Sequence, residues 1–117
     1  MEIKQILNRF YVEDIEVSID FYEKILNEKC ELRFKYPDKD LELAQIGNIL
    51  ILAGSNEALK PFRETKATIL VDSIKDFKNL LLANGATIIR DLTAVPTGIN
   101  MTVKHLDGSI VEYVEHH

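Results

Sequence analysis

Glu112 lies in SIVEYVE, a run of β-formers near the end of a 117-residue chain, with Val111, Tyr113 and Val114 as neighbours. A carboxylate in such a run is costly if its charge is buried and uncompensated. It suits three tasks: ligating a metal, accepting a proton, or forming half of an ion pair. The other reactive side chains offer less. Cys30 opens CELRFKY with no base in the adjacent sequence, so it reads as a small buried apolar residue. His105, the one histidine away from the terminal pair, precedes the Leu-Asp-Gly turn and is expected at the surface. Arg33 and Lys35 share one side of an alternating strand and read as a solvated edge. The five glycines are scattered at turns rather than gathered in a phosphate loop, and no HExxH, CxxC or nucleophile elbow occurs.

The elements that must position Glu112 can be read from patterning. KQILNRFYV (4–12) is a strand, and Asp14 caps the helix after it. Val17, Phe21, Tyr22, Ile25 and Leu26 fall near helical spacing and predict the core-facing stripe of that helix, which stops at Asn27. CELRFKY, LELAQI and NILILAG are three strands, the last two joined by a hairpin at Ile46-Gly47-Asn48. SNEALKPFRETK (55–66) is polar, contains Pro61 and reads as a connector. The pattern then repeats. ATILVDS is a strand and Ser73, with Asp76 three residues on, caps a helix whose apolar face holds Phe77, Leu80 and Leu81 and which ends at Gly85. ATIIRDL, INMTVKH and SIVEYVE follow as strands. FYVEDI aligns with ILVDSI at an offset of 59 (71 − 12 = 73 − 14 = 59), an internal duplication. The expected fold is α+β: two βαβββ repeats forming a curved mixed-sheet cup, with repeat one at 1–54, a connector at 55–65 and repeat two at 66–117.

Composition bounds the partners. Fourteen basic against nineteen acidic residues leave a net charge of −5, without the clustered Lys and Arg of a nucleic-acid footprint. The acidic balance repels anionic membranes, and no apolar run approaches membrane-spanning length. MEIKQILNRF lacks the apolar core of a signal peptide, and a single cysteine suits a reducing compartment, so the expected location is cytoplasmic. The closing histidines, 116 and 117, are assigned no function.

The duplicated unit resembles the vicinal oxygen chelate superfamily, which includes glyoxalase I, bleomycin-resistance proteins and extradiol dioxygenases. The resemblance covers nearly the whole chain. VEDIEVSIDFYEKIL is similar to the first strand-to-helix corner, NGA (84–86) to the second helix end, and PTG (96–98) with HLDGSIVEY to the closing hairpin. It implies metal-ligand positions on the first and fourth strand of each repeat. Here they read Leu7, Ala53 (112 − 59 = 53), Lys66 and Glu112. Leu and Ala cannot ligate, and a Lys ammonium repels a cation, so no metal or other cofactor is expected.

If Leu7 faces the concave side, alternation places Arg9 and Tyr11 there too, with Phe10 and Val12 toward the helix. Lys66 is expected to share that side with Thr68 and Leu70, and Glu112 with Ile110 and Val114. Arg9, Tyr11, Lys66 and Glu112 are therefore the candidate ligand-binding residues, with Lys66 supplying the charge a metal would bring to Glu112. The resulting reading is a metal-free, homodimeric small-molecule binding protein that sequesters a toxic or antibiotic compound. The alternative is a divergent lyase, isomerase or dioxygenase-like enzyme.

Overall fold

Asp14 and Ser73 stop two strands and start two helices by the same means. In the computed structural model, which describes residues 1–117, Asp14 Oδ1 accepts the Val17 amide at 3.2 Å, and Ser73 Oγ accepts the Asp76 amide at 3.4 Å. Each bond satisfies an amide that a helix start would leave without a partner. The strands before these corners are β1 (Ile3–Val12) and β5 (Thr65–Val71), and the helices after them are α1 (Ile15–Leu26) and α3 (Ile74–Ala83). Asn27, in the left-handed conformation at φ 55°, ends α1, and Gly85 at φ 90° follows the end of α3.

The chain forms two units. The N-terminal unit is Leu7–Glu64; the C-terminal unit is Thr65–His117 together with Met1–Ile6, so β1 is shared out between them. In the N-terminal unit, β2 (Leu32–Tyr36), β3 (Leu41–Ile46) and β4 (Ile49–Ala53) run antiparallel in sequence, and β4 closes back parallel onto β1, giving the order β2-β3-β4-β1. The connector holds one short helix, α2 (Asn56–Leu59), capped by Ser55. In the C-terminal unit, β6 (Thr87–Val95), β7 (Gly98–Lys104) and β8 (Ile110–His116) repeat the arrangement in the order β5-β8-β7-β6, with β5 and β8 parallel. The expected α+β class and the two mixed βαβββ units are present.

Each unit packs its helix on one sheet face. Ile15, Ile19, Ala44, Ile46, Ile51 and Ala53 form the N-terminal core, with Val12, Tyr22 and Cys30 against it. Ile69, Val71, Ile74, Phe77, Met101, Val103, Val111 and Tyr113 form the C-terminal core. The stripe expected on α1 is wrong by most of its members. Val17, Phe21 and Ile25 are 65%, 53% and 65% exposed, and Leu26 is exposed as well. Ile15, Ile19 and Tyr22, spaced at four and three residues, face the sheet instead. The apolar residues on α1 cover two faces, and spacing alone does not say which one packs. On α3, Phe77 is buried and Leu81 packs on the core, but Leu80 is exposed. His105 is half-buried rather than a surface residue, because its Nε2 meets the Tyr113 hydroxyl at 2.8 Å.

The duplication is less regular than a constant offset of 59. Arg9 pairs with Leu50 across β1 and β4, and its counterpart Thr68 pairs with Glu112 across β5 and β8. The residue of repeat one that matches Glu112 is therefore Leu50, not Ala53, which lies in the helix-side core. The offset between the repeats has grown from 59 on the first strand to 62 (112 − 50 = 62) on the fourth.

Gly98 begins β7 at φ 153°, opposite His116, and a Cβ there would stand 2.0 Å from the Glu115 carbonyl oxygen. That contact is with backbone, so no rotamer change relieves it. Gly98→Ala should lower stability by more than about 1 kcal/mol, read as a urea midpoint. Gly108→Ala, also at positive φ but with nothing within 4 Å of the added carbon, should cost less. Equal losses would mean that the Gly98 contact is not what matters.

Candidate functional site

Strand alternation carries Glu112 away from the helix layer. Val111 and Tyr113 pack under α3, so Ile110, Glu112 and Val114 lie on the opposite, open face of β8. The same parity on β7 sends Met101 and Val103 inward and Asn100 and Thr102 to the open face. Register then draws one polar row across four strands: Thr68 on β5 opposite Glu112, Glu112 opposite Thr102 on β7, and Thr102 opposite Arg90 on β6.

Hydrogen bonds run along this row. Thr68 Oγ1 donates to Glu112 Oε1 at 3.3 Å, and Asn100 Nδ2 donates to Glu112 Oε2 at 3.1 Å. Asn100 Oδ1 in turn accepts Arg90 Nη2 at 2.6 Å, and Arg90 Nη2 also reaches Thr102 Oγ1 at 3.3 Å. Thr68 and Asn100 are only 3% and 6% exposed. Buried polar groups of this kind must be bonded, and no buried side-chain polar atom is left without a partner. The Asn100 amide is oriented by its neighbours: the oxygen faces a cation and the nitrogen faces a carboxylate.

Lys66 does not join this row. β5 is bulged between Thr65 and Ala67, which are successive partners of Ile110 and Val111, so Lys66 is the extra residue. A bulge breaks the two-residue period on which its expected side depended. Lys66 is exposed and forms no ion pair with Glu112; Thr68 and Asn100 donate to that carboxylate instead.

Arg9 and Tyr11 are on the side expected of them in the N-terminal unit. Phe10 turns to α1, its ring 5.3 Å from that of Tyr22, and Val12 packs on the core. Leu7, Arg9 and Tyr11 occupy the other face. Arg9, 9% exposed, donates from Nη1 to the Tyr11 hydroxyl at 3.2 Å. That hydroxyl donates to the Phe62 carbonyl at 2.5 Å, and the Arg63 guanidinium lies 5.9 Å from the Tyr11 ring centre. Tyr11 thus ties the connector to β1 and holds two guanidinium groups near one phenol. The edge expected at Arg33 is an ion-pair cluster: Arg33 bonds Glu16 at 2.5 Å and Glu42 at 2.6 Å, and the first of these holds the Glu16 carboxyl below its ordinary range.

The residues at the metal-ligand positions do not fit a divalent ion. Leu7 and Leu50 have no donor atom, Lys66 is displaced by the bulge, and the Glu112 oxygens accept N–H and O–H groups. Neither unit gathers three His, Cys, Asp or Glu side chains. Asn100, Thr102 and Arg90 carried no expectation from sequence. The alternation of INMTVKH around Met101 and Val103 was the signal for the first two. Arg90 was hidden by two register shifts in β6, at Ile88/Arg90 and Arg90/Thr93.

Comparison with known proteins places this geometry. No protein-family model matches the chain, and no curated protein does. An uncharacterized protein from Methanosarcina mazei, known from its crystal structure, is 55% identical, with a TM-score of 0.92 over 100% of this chain and 95% of that one. The chain belongs to the family of that protein. A hypothetical protein from Bacillus halodurans superposes at a TM-score of 0.80, with 18% identity over 100% of this chain and 96% of the other. Methylmalonyl-CoA epimerase from Mycobacterium tuberculosis superposes at 0.77, with 15% identity over 98% of this chain and 89% of the other. These likenesses show the fold, which is glyoxalase-like, of the vicinal oxygen chelate type. No helix is long and apolar enough to cross a membrane.

Replacing Asn100 tests the row. Asn100→Leu removes the donor to Glu112 and the acceptor of Arg90 and should cost about 1–3 kcal/mol. Asn100→Asp sets a second carboxylate against Glu112, so its stability deficit should shrink as pH falls and one of the two takes up a proton. Denaturant midpoints at neutral and acid pH read both. A deficit in Asn100→Asp that does not change with pH would contradict the arrangement.

Proposed function

We propose that this protein binds a small amphipathic molecule on the open face around Glu112, without a metal, as a member of the vicinal oxygen chelate superfamily. The observation that carries the reading is the bonded row of Thr68, Glu112, Asn100 and Arg90. It sets a few oriented polar groups among Leu70, Ile110 and Val114. Apolar walls with a small number of placed polar groups are what a small-molecule site requires. Thr68 and Asn100 keep the Glu112 carboxylate in one orientation, which fixes how a ligand can approach it. Arg9 and Tyr11 are proposed as ligand contacts on the open face of their own unit, while Lys66 has no part in the reading. A protein of this kind, working as a homodimer, would sequester a toxic or antibiotic compound rather than convert it.

A second reading, proton transfer of the lyase or isomerase kind, is favoured by the epimerases among the structural neighbours. Glu112 is the carboxylate on this face able to accept a proton from a bound substrate.

Native mass spectrometry of gently purified protein tests the first reading and reports the oligomeric state in the same spectrum. Wild-type protein should retain a small molecule that Glu112→Gln loses. No retained mass in the wild type, or the same mass in both, would count against it. Incubation with methylmalonyl-CoA in heavy water tests the second reading. Deuterium entering the substrate with wild type but not Glu112→Gln would favour catalysis, and no entry would remove that substrate.

A further inference from the structure

Arg90 lies at the outer end of the polar row, and its charge faces no carboxylate. Both of its hydrogen bonds come from Nη2 and go to neutral acceptors, Asn100 Oδ1 and Thr102 Oγ1. Nε and Nη1 are left to donate elsewhere. Other cations of this unit are differently placed: Lys78 is paired with Asp91 at 2.8 Å, and Lys66 sits on the bulge. Arg90 is also held in place. The two bonds to β7 fix the plane of the guanidinium against the open face, so little side-chain freedom remains to be lost when an anion arrives. The asparagine that holds it is buried and is itself held by Glu112.

We propose that Arg90 is an anion subsite that takes the carboxylate of a small organic acid, whose body then lies over the open face toward Glu112. This rests on the reading of that face as a ligand site. A guanidinium fork matches a carboxylate in shape and charge. The choice of carboxylate over phosphate follows from the row itself. One cation balances one negative charge, whereas a phosphate dianion would bring excess negative charge onto a face that already holds Glu112. Phosphate sites add backbone amides from a glycine-rich loop or a helix start, and β6 provides neither at Arg90. Ile110, half-buried on the side of β8 away from α3, offers apolar contact for the body of the acid.

Titration of the full chain with butyrate at constant ionic strength, followed by proton–nitrogen NMR, is the test. The Arg90 Nε–H and Asn100 side-chain amide signals should shift and saturate, while Arg33 Nε–H, already bonded to Glu42, should not move. Arg90→Met should weaken binding roughly ten- to hundredfold. Arg90→Lys, which keeps the charge without the fork, should fall between. Inorganic phosphate should bind more weakly than butyrate, and butylammonium should leave Arg90 unmoved. A response that does not saturate, that survives in Arg90→Met, or that is stronger for phosphate would overturn the assignment. Native spectra separate this from the broader reading. A retained small molecule lost in Glu112→Gln but kept in Arg90→Met would end the Arg90 subsite alone. Butyrate saturating at Arg90 in a chain that retains nothing would uphold the subsite and end the broader reading.

Discussion

A carboxylate on a sheet face that also bears Ile110 and Val114 must be given donors, and the open face of the C-terminal unit is arranged around that requirement. Desolvating a carboxylate costs several kcal/mol unless hydrogen bonds replace water. Thr68 comes from the parallel partner strand β5 and Asn100 from the antiparallel partner β7, so both neighbours of β8 contribute. Asn100 can serve only if its oxygen is also occupied, and Arg90 on the next strand does that. One half-buried carboxylate thus engages side chains on all four strands. A slip of one residue on any of them would turn a partner into the helix-side core.

The two repeats respond differently to the same fold. Where the C-terminal unit has Thr68 and Glu112 opposite each other, the N-terminal unit has Arg9 and Leu50. Leucine stands in place of the carboxylate, with the buried Gln45 of β3 opposite it, and Arg9 bonds Tyr11, which bonds the connector. The duplication preserved backbone geometry at the strand-to-helix corners, where Asp14 and Ser73 perform the same capping. It did not preserve the chemistry of the face.

Much of the fold was legible from sequence because local rules and tertiary packing agree there. The capping residues, the left-handed Asn27, the hairpin at Gly47 and the alternation of the strands without a bulge are all decided within a few residues. Parity placed Arg9, Tyr11 and Glu112 on the side opposite their helices. Lys66 failed for a physical reason: a bulge adds one residue without changing composition, and no pattern of hydrophobicity marks it. Arg90 was hidden by the same kind of irregularity in β6. The stripe on α1 failed because apolar residues lie on two faces of that helix, and Val17, Phe21 and Ile25 are no less hydrophobic than the residues that pack.

β6 ends the strand order of its unit, and a long regular edge strand presents unpaired amides and carbonyls to any other strand that passes. Its two register shifts interrupt that template within nine residues. Between them stands Arg90, and within the second lies Asp91, whose carboxyl is held below its ordinary range by the Lys78 ammonium. A second chain laying a strand along this edge would meet irregular spacing and fixed charges at its centre. The irregularity that positions Arg90 over the open face also guards the sheet against edge-to-edge aggregation, so straightening β6 would expose the protein to self-association even where its folded stability rose.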